Sequence, residues 1–268
     1  MSGPLLVRTE AAVRILINSN PSARNAITAE LYGALSAALL DAAADPGIGA
    51  IVLLGDGGFF CAGGDLRQLA TRRDLPPEQR RARIERLHDL IRAIRACPKP
   101  VIAAVEGGAA GAGFSLALAC DMLVAARDAV FSVAYVKVGL TPDGGITAFL
   151  AQFLSRQVMT ELCLTGERIT GARLHQMGAV NRLTEPGQAL AQALALAAAI
   201  GNGPANASAR IKLLCQNAGH ASFADQLDLE AQLMVESQGD AEAAEGIGAF
   251  FDKRAPDFVA LRRAPGRA

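Results

Sequence analysis

Lys99 to Asp121 reads KPVIAAVEGGAAGAGFSLALACD, and its order of residue types decides the fold. Val101 to Val105 is a run of five apolar residues with no polar alternation, the pattern of a strand buried on both faces of a parallel sheet. Four glycines between Gly107 and Gly113 break the run, and FSLALAC then reads as a short apolar helix. A further apolar strand, MLVAA, follows at once. Strand, glycine loop, helix and strand together define an α/β core, and the loop lies at a strand's carboxyl end, where such folds place ligands.

Toward the N-terminus the same unit is repeated. Ala50 to Leu54, AIVLL, is a second fully apolar strand, and Gly57 to Asp65, GGFFCAGGD, is its glycine loop, with a helical turn expected from Asp65. Pro76-Pro77-Glu78 opens a long amphipathic helix, EQRRARIERLHDLIRAIRAC, that must stop at Pro98 because proline cannot continue it. Upstream, LLVRTE and AVRILIN alternate as an antiparallel pair, Asn18 to Ser22 forms a turn, and Thr28 caps a helix. Beyond Gly145 strand signals nearly vanish except in GAVNRL, and helical periodicity dominates from Ala189 to Phe251. Such helices need a surface to cover, either the core or another copy of the chain. Residues 1–200 are therefore read as the core, 201–268 as a helical oligomerisation region, and RRAPGRA at the end as frayed.

Composition narrows the function. The 268 residues carry 26 basic and 26 acidic side chains, so no long-range field exists to collect nucleic acid or an anionic membrane. No apolar run is long enough to span a bilayer, and the first ten residues lack the pattern of a secretory signal. Five widely spaced cysteines without a CxxC suggest neither a disulfide framework nor a metal site, and a reducing cytoplasm is the expected location.

Two small-residue turns at neighbouring strand ends let a ligand approach the backbone, where free N–H groups at a helix start can hold a negative oxygen. Close packing alone is the competing explanation. A dinucleotide fold also competes, but the spacing is GxxGxG rather than GxGxxG, and FSLALAC is too short for a crossover helix.

Five segments carry a resemblance: FFCAGGDL (Phe59 to Leu66), Lys99 to Asp121, VGLTPDGG (Val138 to Gly145), LTGERITGARLHQMGAVNRL (Leu164 to Leu183) and FFDKRAPDF (Phe250 to Phe258). In kind, order and spacing they resemble the crotonase, or enoyl-CoA hydratase/isomerase, superfamily, most closely its branch in aromatic-acid degradation. The resemblance implies a spiral of ββα units with a C-terminal helical region that builds a homotrimer or a hexamer of paired trimers. It implies an acyl-CoA thioester as substrate, with coenzyme A arriving as part of it and no tightly bound cofactor.

By the same resemblance the backbone N–H groups of Gly64 and Ala112 are the oxyanion donors. Coenzyme A would bend over the segment Ala23-Arg24-Asn25-Ala26, with its adenine beside Cys61, Ala62, Asp65 and Leu66. Phe250 and Lys253 would reach it from a neighbouring subunit. The competing reading of Arg24 and Lys253 is an ordinary solvated charge, and Cys61 reads as a small wall residue rather than a nucleophile. Family hydratases place two glutamates around a water, and this chain has Ser115 and Tyr135 there. Neither is a carboxylate, and Asp143, whose position resembles that of the catalytic aspartate of the family's dienoyl-CoA isomerases, is by that resemblance the candidate acid and base, suited to moving a proton between carbons. The alternatives are that Asp143 caps the following helix, that it activates water for hydration, or that the chain binds coenzyme A without catalysis. His88 is a further candidate base, or an ordinary helix-surface histidine.

Overall fold

A computed structural model describes residues 3–263. The elements are β1 (Leu5–Glu10), β2 (Val13–Asn18), α1 (Ala29–Ala44), β3 (Ala50–Gly55), α2 (Leu66–Ala70), α3 (Pro77–Ala96), β4 (Val101–Val105), β5 (Gly108–Ala110), α4 (Ala112–Ala119), β6 (Met122–Ala126) and β7 (Val130–Ser132). They continue with α5 (Ile146–Leu150), α6 (Arg156–Thr165), β8 (Arg168–Thr170), α7 (Gly171–Gln176), β9 (Arg182–Thr184), α8 (Ala189–Gly201), α9 (Ala205–Asn217), α10 (Phe223–Gln238), α11 (Ala241–Phe251) and α12 (Phe258–Arg263).

Six strands form the main sheet in the order β1-β2-β3-β4-β6-β9, with β1 antiparallel to β2 and every other neighbour parallel. Because side chains alternate across a strand, β3 and β4 feed two separate cores. Ile51, Leu53, Val101, Ala103 and Val105 face α1, α3 and α4, in one cluster with Leu35, Leu90 and Phe114. Ala50, Val52, Ile102 and Ala104 face the other way, onto Ala189, Ala193 and Ala197 of α8. A stripe of alanines at every fourth position lets α8 lie close over the sheet, which is why these strands carry no polar face.

The smaller sheet, β5-β7-β8, was not expected from the sequence. Its strands are three residues each, and Gly108-Ala109-Ala110 has no β propensity of its own. It becomes a strand because β7 supplies a parallel partner at Val130–Ser132. The glycine loop after β4 is therefore pinned on one side by a second sheet.

The C-terminal helices are fastened to the core by a buried ion pair. Lys212 of α9 donates from Nζ to Asp121 Oδ2 at 2.8 Å, to Ile94 O at 3.0 Å and to Lys99 O at 3.4 Å. Burial raises the Asp121 carboxyl above its ordinary range, and the Lys212 ammonium works against that rise. The expected fraying at RRAPGRA does not hold at its start: Arg262 lies in α12 and donates to Gly201 O at 2.7 Å, which ties it to the end of α8. Residues 264–268 lie outside the described residues. Among the described residues no helix is long and apolar enough to cross a membrane.

Candidate active site

The two glycine turns are pressed together. Cys61 donates its N–H to Gly108 O at 3.3 Å, and Ala110 donates to Cys61 O at 3.0 Å, so the first turn pairs with β5. Glycine is required on both sides of the join. A Cβ on Gly113 would lie 2.4 Å from Cys61 O, and one on Gly63, whose φ is +96°, would lie 2.7 Å from Ala110 O and 3.4 Å from Ala112 N. No side chain separates the turns.

Ala112 is the first residue of α4, a helix buried along its whole length and capped by no side chain. Its N–H, and that of Gly64, donate to no acceptor among the described residues. Ile27 meanwhile holds the backbone on both sides of Gly64, donating to Gly63 O at 2.7 Å and accepting from Asp65 N at 3.4 Å. Two uncommitted amides on touching turns, one at the positive end of a helix, suit a developing negative charge.

Beside them stands a polar triplet. Ser115, one turn into α4, is fully buried, and Tyr135 is nearly so. Tyr135 comes from the helical turn Ala134–Val138, and Asp143 from the loop before α5. Tyr135 Oη donates to Asp143 Oδ1 at 2.8 Å, Ser115 Oγ donates to Asp143 O at 3.0 Å, and the two hydroxyls lie 3.3 Å apart. Burial first, and then the neighbouring Asp143 charge, push the Tyr135 phenol well above its ordinary range, so it remains a donor.

The capping alternative for Asp143 fails: the cap of α5 is Gly145, at φ +78°, with no side-chain bond to the helix. Only the Asp143 carbonyl serves the helix, accepting from Ile146 N at 3.5 Å. Asp143 Oδ2 accepts from no described residue. His88 makes no hydrogen bond to the triplet; its Nδ1 lies 3.5 Å from Glu85 Oε2 on its own helix.

The segment expected to hold coenzyme A is joined to the first glycine turn. Arg24 O accepts from Ala62 N at 2.9 Å, and the Arg24 guanidinium lies 5.7 Å from the centre of the Phe59 ring. Ala23 and Arg24 are exposed, while Ala26 is buried beneath them. Asn25, expected from the sequence only as part of this coenzyme A segment, is the residue that builds it. It is wholly buried, adopts φ +56°, donates to Asp56 O and Phe59 O, and accepts from Asn20 N. An asparagine inside a turn-rich stretch was the available signal.

Cys61 is a wall: burial pushes its thiol up to about 12, away from nucleophilic use. The Asp65 carboxylate caps α2 through Arg67 N at 2.8 Å, and Leu66 is exposed. Phe250 and Lys253 are both exposed, with no hydrogen bond or ring contact joining them to residues 23–26 or 61–66 within the chain.

The enoyl-CoA hydratase/isomerase family model matches residues 8–260, so the chain belongs to that family of acyl-CoA enzymes. A 1,2-epoxyphenylacetyl-CoA isomerase of Escherichia coli K12 is 32% identical over 95% of this chain and 98% of its own. A 2,3-dehydroadipyl-CoA hydratase of the same organism is 33% identical over 95% and 98%. The crystal structure of an enoyl-CoA hydratase from Polaromonas sp. JS666 superimposes with a TM-score of 0.92 at 45% identity, covering 95% of this chain and 99% of that one. The fold is thus the crotonase fold that the motifs implied.

Proposed function

We propose that this enzyme isomerises an unsaturated acyl-CoA thioester, shifting a double bond or rearranging a ring, with Asp143 as the acid and base. The observation that carries this reading is the hydrogen bond from Tyr135 Oη to Asp143 Oδ1. Two-glutamate hydration needs a second carboxylate facing the same water, and the two positions in question hold Ser115 and Tyr135, both turned toward Asp143. One carboxylate with one oxygen held and the other uncommitted suits a single proton carried from carbon to carbon.

In the proposed step the Asp143 carboxylate removes a proton next to the conjugated system, and the electron pair moves onto the thioester oxygen. The amides of Gly64 and Ala112 hold that oxyanion, each such donor contributing about 3 kcal/mol in the transition state. The same carboxyl then returns the proton to another carbon, so atoms and charge balance without water. Ala23, Arg24, Ala26, Cys61, Ala62, Asp65 and Leu66 would line the coenzyme A path. Phe250 and Lys253 would complete it across the interface of a homotrimer or hexamer, a role that fits their exposure and that of Phe223, Val235 and Phe251. We place the enzyme in the cytoplasm, as expected for chemistry on coenzyme A esters.

The hydratase names among relatives favour a second reading, hydration with Asp143 activating water. The test uses 3-enoyl-CoA and 2-enoyl-CoA substrates followed by ultraviolet absorbance. Isomerisation that falls by about a hundredfold or more in Asp143→Asn is the expected result. Unchanged turnover in that variant would remove Asp143 from the chemistry, and hydration without isomerisation would favour the second reading.

A further inference from the structure

The peptide that carries the Gly64 N–H is aimed by a neighbouring stretch of backbone. Residues 24–27 lie parallel to residues 62–65: Ala62 donates to Arg24 O at 2.9 Å, Ile27 donates to Gly63 O at 2.7 Å, and Asp65 donates to Ile27 O at 3.4 Å. A peptide group is planar and trans, so its carbonyl and its N–H point in opposite directions. With Gly63 O fixed on Ile27, the Gly64 N–H is turned away from that segment. The direction of this donor is therefore set by where residues 24–27 stand.

Asn25 is what places them. Arg24 and Asn25 are both left-handed, at φ +49° and +56°, a bend that residues with a Cβ adopt at a cost. Asn25 offsets that cost by committing every hydrogen-bonding group it has. Its N–H donates to Asn20 O at 2.8 Å, its carbonyl accepts from Asn18 Nδ2 at 2.7 Å, and its Oδ1 accepts from Asn20 N at 2.8 Å. Its Nδ2 uses both hydrogens, donating to Asp56 O at 2.7 Å and to Phe59 O at 2.5 Å. These partners lie at the end of β2, in the turn after it and in the loop after β3, so one wholly buried residue ties three pieces of chain together.

We propose that Asn25 is a positioning residue for the isomerisation: it fixes residues 24–27 and, through Ile27 and Gly63, aims the Gly64 N–H at the thioester oxygen. A hydrogen bond weakens steeply as its angle closes, so a small tilt of this peptide would cost the donor its effect while leaving the surrounding fold in place. The inference rests on the reading of Gly64 as an oxyanion donor and adds the residue that keeps that donor in line.

Infrared difference spectra of bound hexanoyl-CoA, labelled with carbon-13 at the thioester carbonyl, read the aim directly, because a well-placed donor weakens that bond and lowers its stretching frequency. Spectra are taken at saturation, so weaker coenzyme A binding does not enter. The parent protein should lower the frequency relative to the free thioester in water. Asn25→Gly keeps the left-handed bend without the side-chain bonds, and Asn25→Asp sets an oxygen against Asp56 O and Phe59 O. Both should lose about half of the shift or more, with kcat for a 3-enoyl-CoA falling about tenfold. Asn18→Ala removes only the bond to Asn25 O and should show a smaller loss of the same kind; it decides the matter where the Asn25 variants do not fold. Lys212→Met, destabilised at the opposite end of β4 from the turns, should keep the parent frequency. A parent-sized shift in the folded Asn25 variants, or in Asn18→Ala when it alone folds, overturns the inference while the oxyanion reading stands. An equal loss in Lys212→Met also overturns it, since the effect would then be one of general stability. No shift in the parent with thioester bound would sink Gly64 as a donor, and this inference with it.

Discussion

Removing one oxygen atom from Tyr135 probes the proposed chemistry. Tyr135→Phe keeps the ring that is buried beside Phe114 and Leu87 in the same core cluster, and deletes the hydroxyl that donates to Asp143 Oδ1 at 2.8 Å and contacts Ser115 Oγ at 3.3 Å. A hydrogen bond to a charged acceptor contributes about 2 kcal/mol, equivalent to about thirtyfold in rate if it is needed to aim the carboxylate. Because Tyr135 makes no hydrogen bond to residues 23–26 or 61–66, kcat should carry the loss and KM for the thioester should change little. The assay is initial-rate isomerisation of a 3-enoyl-CoA, run beside Asp143→Asn and the double variant. If the pair acts as a unit, the double variant is no slower than Asp143→Asn alone. An unchanged kcat in Tyr135→Phe, or losses that multiply in the double variant, would refute the claim that the phenol acts through Asp143.

Three further outcomes follow from the packing. Lys212→Met strips the partner from a buried Asp121 carboxylate and should cost about 3 kcal/mol, read as a lower urea midpoint at constant slope; a midpoint within error of the parent would contradict it. Gly113→Ala forces a methyl group against Cys61 O, where it would sit at 2.4 Å, and should cost about 2 kcal/mol or more with loss of activity; a fully active, equally stable variant would show that the turns are not pressed together. The Tyr32 phenol and Cys61 thiol are both raised to about 12, from ordinary values of 10.0 and 9.0. The native state keeps these protons where the unfolded chain releases them. Their contribution is therefore complete below about pH 9 and declines as pH rises toward 12. Urea midpoints should fall across that window, and less steeply in Tyr32→Phe; a midpoint that rises there would reverse the sign.

Much of the fold could be read directly because its signals are local. AIVLL and VIAAV are apolar at every position, which only a two-sided core tolerates, and α8 proves to be the second side. Thr28 caps α1 through Leu31 N, and Pro98 stops α3 within a residue of where its ring demands. β5, β7 and β8 were missed because three-residue strands owe their conformation to a partner far along the chain.

In the site, glycine clusters announced the two turns, and the missing glutamates drew attention to Asp143. The contact between Asp143 and Tyr135 is another matter. It depends on how a helical turn and a loop eight residues on fold toward each other, and no periodicity records that.

The proton path is tested most directly by turnover of a 3-enoyl-CoA in oxygen-18 water, with the product thioester weighed by mass spectrometry. Conversion to the 2-enoyl isomer with no heavy oxygen retained is the result required if Asp143 moves a proton between carbons. Accumulation of a hydroxyacyl-CoA carrying one heavy oxygen, at a rate matching substrate loss, would contradict it.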